Sequence, residues 1–234
     1  MPQLAHNVTY VPFCICLDLS GSMSMHSNAI NRFIRSFREA IKRRSVPTMR
    51  FEVYTITFGN GYKGEPIEFH DFESVTDFQY KSLEANERTT LGRAVNMAIE
   101  TLEDRKEYHK SNGHDYKQPV LLIVSDGHDN DDADVLLRVQ EKARQKVLPS
   151  DGKSDGKLTV VPVMFHGANE RILRDFSPRN EPTMWTGWTE EKFSELVRLI
   201  NASREQPDEG DLGPILKGII NRILDGVTPV DNLG

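Results

Sequence analysis

The 234 residues carry 38% apolar and 27% charged side chains, enough to build a globular core and too apolar for a disordered chain. A net charge of −6 argues against a nucleic-acid or anionic-membrane surface. No apolar run approaches the ~20 residues that span a bilayer, and the first seven residues offer neither the basic nor the apolar region of a secretory signal.

Taken in order, residues 11–17 form an apolar run that predicts a buried strand. Its two cysteines, Cys14 and Cys16, are the only ones in the chain. They stand two apart, so they share one face and read as small core side chains, consistent with a reducing cytoplasm. The strand ends on Asp18, and Ser20 and Ser22 follow at alternate positions with Gly21 between them for a tight turn. Residues 28–44 predict a helix, with Ile30, Phe33, Ile34, Phe37 and Ile41 at helical spacing and Pro47 beyond its end.

Residues 49–58 alternate and are rich in β-formers, which predicts a second strand. Gly59, Gly61 and Gly64 then match G-x-G-x-x-G, but a dinucleotide site needs a helix next. Residues 65–72 read instead as another strand, so the pair is a hairpin whose second member, with Pro66 and several charges, suits a sheet edge. Thr89 and Thr90 precede a helical run in which Leu91, Val95, Ala98, Ile99 and Leu102 share a face; the threonines read as a helix cap or as hydroxyl ligands.

Residues 119–124 are continuously apolar, as in a strand covered on both faces, and they end in Ser125, Asp126 and Gly127. Asp131 and Asp132 are expected to favour the N-terminus of a helix over 133–147. The acidic run from Asp129 is not an EF-hand loop, because its fifth and sixth positions are Ala133 and Asp134. Residues 158–165 predict a strand despite Pro162, 169–176 a short helix, 183–185 a last short strand and 189–202 a helix. His166, Trp185 and Trp188 read as core or near-core packing. After a break at 206–211, residues 212–224 predict a clean amphipathic helix, which docks on its own domain or on a partner. The expected division is therefore a domain over 1–205 and a C-terminal extension over 206–234.

Alternating strands and helices predict an α/β fold: a doubly wound, mainly parallel, Rossmann-like sheet of about six strands. One antiparallel strand lies at its edge, and helices cover both faces. Asp18 and Asp126 would end two strands near the sheet centre, where such folds bind ligands. Taken alone, D-x-S-x-S reads more readily as a helix cap than as a ligand set. An oxygen-only set suits Mg²⁺, Mn²⁺ or Ca²⁺ rather than zinc.

From about residue 10 to 203, the chain resembles the von Willebrand factor type A (VWA) family. Three separated segments carry the resemblance: Asp18, Ser20 and Ser22 as D-x-S-x-S, Thr89-Thr90-Leu91-Gly92 beside the family's T-x-L-G, and Asp126-Gly127 as D-G. The resemblance implies a metal-ion-dependent adhesion site whose ligands are Asp18, Ser20, Ser22, Thr89 (with Thr90 as the alternative) and Asp126. Mg²⁺ is the expected ion, with Mn²⁺ or Ca²⁺ also admissible. It implies a protein-interaction module in which a partner's Asp or Glu completes the metal's coordination, flanked by specificity loops at 23–26, 86–88 and 128–131. The stretches at 11–23, 56–59, 83–100 and 119–127 are similar to stand-alone bacterial proteins of the tellurium-resistance-associated type. Relatives of that type are associated with Ser/Thr kinases and PP2C-type phosphatases in stress signalling. Two alternatives stand beside this reading. One is a metal-dependent hydrolase, for which no P-loop, H-E-x-x-H or G-x-S-x-G motif is present. The other is a metal-independent scaffold using the sheet edge or the helix at 212–224.

Overall fold

A computed structural model of the chain describes residues 8–28, 30, 31, 34, 35, 49–59, 66–74, 89–147, 158–164, 167–177, 183 and 184. The predicted helices at 189–202 and 212–224, the domain boundary at 205/206, the loop at 60–65, residues 86–88, and His166, Trp185 and Trp188 lie outside them.

Strand β1 (Thr9–Asp18) is followed by a 3₁₀ turn, Gly21–His26, and then by helical backbone at every described position up to Arg35. Next come β2 (Met49–Phe58), β3 (Ile67–Ser74), α1 (Leu91–Ser111), β4 (Asp115–Tyr116), β5 (Val120–Ser125), α2 (Ala133–Val147), β6 (Thr159–Met164), α3 (Glu170–Phe176) and β7 (Thr183–Met184). They form one seven-stranded sheet in the order β3-β2-β1-β5-β6-β7, with β4 beside the start of β1. All pairings are parallel except β2 with β3, the antiparallel edge pair expected of the hairpin. The two-residue β4 is the one described strand the sequence did not suggest.

Two prolines fit this ladder for a specific reason. Backbone polar groups alternate sides along a parallel strand. Tyr10 offers its carbonyl to the Lys117 N–H, so Pro12 turns its nitrogen to the same side, where β4 has ended and β5 has not begun. Thr159 donates to Pro119, which puts Pro162 on the β7 side, one residue ahead of the first β6–β7 pair. Pro12 therefore costs no inter-strand bond, and Pro162 costs none to β5.

From Val11 onward β1 is buried on both faces, as is all of β5, which accounts for their continuous apolar runs. On one face Cys14, Cys16, Tyr54, Ile56, Leu121 and Ile123 pack against Leu91, Val95, Ala98 and Leu102 of α1, Val139 and Ala143 of α2, and Leu173 and Phe176 of α3. Ile30 and Ile34 are buried outside that cluster, as are Phe13, Ile15 and Leu17 from the alternate positions of β1. The cysteines are the small core residues expected of them, and burial pushes the Cys16 thiol well above its usual range.

Candidate functional site

From β1 the chain winds one way, through β2 and β3, and the other way, through β5, β6 and β7. The order therefore reverses between β1 and β5, and open α/β sheets bind ligands outside the carboxyl ends of strands at such a reversal. Asp18 is the last residue of β1, and Asp126 follows the last residue of β5.

Asp18 is fully buried. Its Oδ1 accepts from the Ser20 N–H at 2.9 Å and its Oδ2 from Ser125 Oγ at 2.7 Å. Burial still raises its pKa from 3.8 to about 6, against the lowering effect of these hydrogen bonds, and the Asp126 charge adds to the rise. A carboxylate held this way is short of positive charge. Ser20 is buried, Ser22 is exposed, and their hydroxyls lie 3.0 Å apart. Ser20 occupies the N-cap position of the 3₁₀ turn, but its side chain caps nothing there. The same holds at α1, where Thr90 is the N-cap residue and makes no side-chain capping bond. The capping readings of Ser20 and Thr90 are therefore not what the structure adopts.

Thr89 and Thr90 are both buried. The loop after β5 caps α1 in their place. Asn130 Oδ1 accepts from the Thr89 N–H at 3.0 Å, Asp129 Oδ1 from Leu91 N–H at 3.0 Å, and Asp131 Oδ2 from Arg93 N–H at 3.0 Å. Asp131 also pairs with the Arg93 guanidinium at 2.8 Å. This corrects the expectation that Asp131 serves the helix that follows it: its carboxylate serves α1, a different helix. A Cβ on Gly92 would stand 3.3 Å from Asp131 Oδ2 and 3.3 Å from Leu136 Cα, so the glycine of T-x-L-G lets α2 and its leading loop approach α1.

Asp126 is buried, and its Oδ1 accepts from the His128 N–H at 3.0 Å, with His128 Nδ1 at 3.1 Å. Gly127 takes a left-handed φ of +72°, and a Cβ there would meet Asn169 O at 2.6 Å. Gly59, the first glycine of the rejected dinucleotide motif, has φ +80° and packs its Cα against the backbone of Leu19 and Ser20. Its role is to let β2 press against the turn that carries the serines. Of the expected specificity loops, Met25 and His128 are exposed, whereas Met23 is fully buried and unable to reach a partner.

The five sequence-predicted residues thus lie at three neighbouring points: Asp18, Ser20 and Ser22 at the end of β1 and in the turn that follows, Asp126 after β5, and Thr89 at the α1 segment tied to the β5 loop. The donors are all oxygens, which suits a hard divalent cation. An octahedral ion with bonds of about 2.1 Å needs neighbouring ligands about 3 Å apart, the spacing of the two serine hydroxyls. Among the described residues no three His, Cys, Asp or Glu side chains gather to hold an ion, so a cation held here would need hydroxyl oxygens as well. Ser125 and Asn130 are supports absent from the sequence-predicted set. Their adjacency to Asp126 was the available signal, but their partners lie far away in the chain.

The profile of the von Willebrand factor type A domain matches residues 14–196, well over half of the chain. The chain belongs to the VWA domain family. A search among curated proteins gave no significant match. Among solved structures, the pilus adhesin SpaC from Lactobacillus rhamnosus GG in its open conformation is similar with TM-score 0.52 and 12% identity, over 94% of this chain and 30% of that one. Proximal thread matrix protein 1 from the mussel byssus is similar with TM-score 0.50 and 13% identity, over 82% of this chain and 45% of that one. At these identities the likeness is one of fold, and the VWA domain described here spans less than half the length of either structure. Among the described residues no helix is long and apolar enough to cross a membrane.

Proposed function

We propose that this VWA domain is a metal-dependent protein-interaction module, with Asp18, Ser20, Ser22, Thr89 and Asp126 holding one divalent cation. The observation that carries this reading is the meeting of two buried carboxylates at the reversal point of the sheet, beside a hydroxyl pair at octahedral spacing. Mg²⁺ is the ion proposed, since few anionic ligands and several neutral ones suit a cation that retains waters. When bound, such a cation offers a Lewis-acidic position that a partner's Asp or Glu carboxylate can occupy. Asp18 and Asp126 supply the charge, Ser20 and Ser22 orient from the β1 side, and Thr89 closes the set from α1. Exposed Met25 and His128 flank the position and belong to the surface a partner meets.

The cytoplasmic setting, the kinship with tellurium-resistance-associated proteins and a partnership with a Ser/Thr kinase or PP2C-type phosphatase in stress signalling belong to the same proposal. The stretches at 11–23, 56–59, 83–100 and 119–127 support the kinship, and the two free, buried cysteines suit a reducing compartment. The test is a pull-down from native lysate with the wild-type chain in Mg²⁺, the same chain in EDTA, and Asp18→Ala in Mg²⁺. A partner retained only by the first bait is the expected result. Equal retention by all three would end the metal-bridge reading and turn attention to the segment at 212–224.

A further inference from the structure

We infer that Asn130 is a positioning residue: it is not a metal ligand, yet it sets the place of Thr89 and ties it to the segment that carries Asp126. This rests on the metal-site reading above. Asn130 grips Thr89 at both ends of its backbone, accepting the Thr89 N–H on Oδ1 at 3.0 Å and donating its own N–H to the Thr89 carbonyl at 2.8 Å. Thr89 and Asn130 are 41 residues apart, so no local geometry keeps this pair together. Asn130 lies only four positions after Asp126, whose own carboxylate is fixed by the His128 N–H. Asp129 and Asp131 repeat the grip on Leu91 and Arg93, so the loop follows alternate residues of the incoming segment. Asn130 differs from these two in acting on the hydroxyl residue itself. A ligand held by one rigid neighbour loses less freedom when an ion binds, and outer supports of this kind are worth about 10–100-fold in metal affinity.

The probe is Mn²⁺, titrated into the full chain and followed by loss of the free-ion EPR signal. Asn130→Ala is expected to weaken Mn²⁺ by about tenfold. Asn130→Asp keeps the Oδ1 acceptor and is expected to bind at least as tightly as wild type. The double variant Thr89→Ala/Asn130→Ala should bind no more weakly than Thr89→Ala alone, because Asn130 acts through Thr89. In the metal-free chain, amide exchange at Thr89 should quicken in Asn130→Ala while the middle of α1 is unchanged. Asn130→Leu, which keeps the branched shape of asparagine without an acceptor, repeats the test if the alanine variant does not fold. Wild-type Mn²⁺ affinity in a folded Asn130 variant, additive losses in the double variant, or collapse of the fold in both substitutions would overturn the inference. Equal Mn²⁺ binding by wild type and Asp18→Ala would instead remove the metal site, and this inference with it.

Discussion

Ser125 Oγ donates to Asp18 Oδ2 at 2.7 Å, bridging two residues 107 apart in sequence. The bond continues the β1–β5 register one step past Leu17↔Val124, and the same hydroxyl accepts the Gly127 N–H at 2.9 Å. One serine therefore fixes the buried carboxylate of β1 and shapes the turn that presents Asp126. Ser125→Ala leaves a buried carboxylate oxygen and a buried N–H without this partner. A loss of about 1–3 kcal/mol is expected in denaturant unfolding, together with weaker Mn²⁺ binding. Unchanged unfolding and unchanged Mn²⁺ affinity would show that the bridge contributes nothing.

Asp18 makes the metal-free domain respond to pH in an unusual direction. Its folded pKa, about 6, lies above its ordinary 3.8, so the folded chain binds the proton more tightly than the unfolded chain does. That contribution is present in full below about pH 3.8 and is lost as pH rises through about 6. In EDTA it lowers stability between pH 4 and 7 by up to about 3 kcal/mol. Asp18→Asn removes the effect: in EDTA at pH 7 it should melt above wild type, and it should no longer gain stability from Mg²⁺. A variant that melts well below wild type in EDTA would contradict the burial argument.

A second buried charge group lies about 20 Å away along β1, six residues back at the strand's rise. Glu52, opposite Pro12, takes two hydrogen bonds from Arg105, at 2.9 and 2.6 Å, and one from His109 Nε2 at 2.8 Å. An ionised carboxylate only accepts, so His109 carries its proton on Nε2, and its Nδ1 accepts from His114 Nδ1 at 3.2 Å. Tyr10 stacks on both rings. Glu52→Gln strips the anion from this group and should cost about 3 kcal/mol of stability, with Mn²⁺ affinity unchanged. A parallel loss of affinity would mean that the two ends of the sheet are coupled.

Burial lowers the His109 pKa, although Glu52 opposes the shift. The folded chain therefore binds this proton less tightly than the unfolded chain, and the contribution to stability falls as pH drops below about 6.5. Its sign is opposite to that of Asp18. The Asp18→Asn variant exposes it: its melting temperature should fall from pH 7 to 5, and His109→Gln in that background should flatten the fall.

Gly59→Ala tests the contact between β2 and the serine turn. The added Cβ would stand 2.4 Å from Ser20 N at a backbone angle that suits only glycine. A loss of more than about 1 kcal/mol is expected, with weakened Mn²⁺ binding because Ser20 must move. Wild-type affinity would show that the serine turn is held by other contacts.

The sequence by itself determined the parallel sheet, its antiparallel edge and the three oxygen-bearing segments. Those features follow from local patterns: a continuous apolar run for a doubly covered strand, alternation and Pro66 for an edge, and acids and hydroxyls at predicted strand and helix ends. Only the tertiary structure decided which acid serves which element. Asp131 lies one residue ahead of the loop residue that starts α2, yet its carboxylate caps α1, because the loop after β5 passes over the Thr89–Arg93 segment. Ser125 and Asn130 look like ordinary turn residues until Asp18 and Thr89 come beside them. Gly59 gives no sign of facing Ser20. Local pattern records what each segment prefers on its own, whereas these roles depend on hydrogen bonds and close contacts between segments 38 to 107 residues apart.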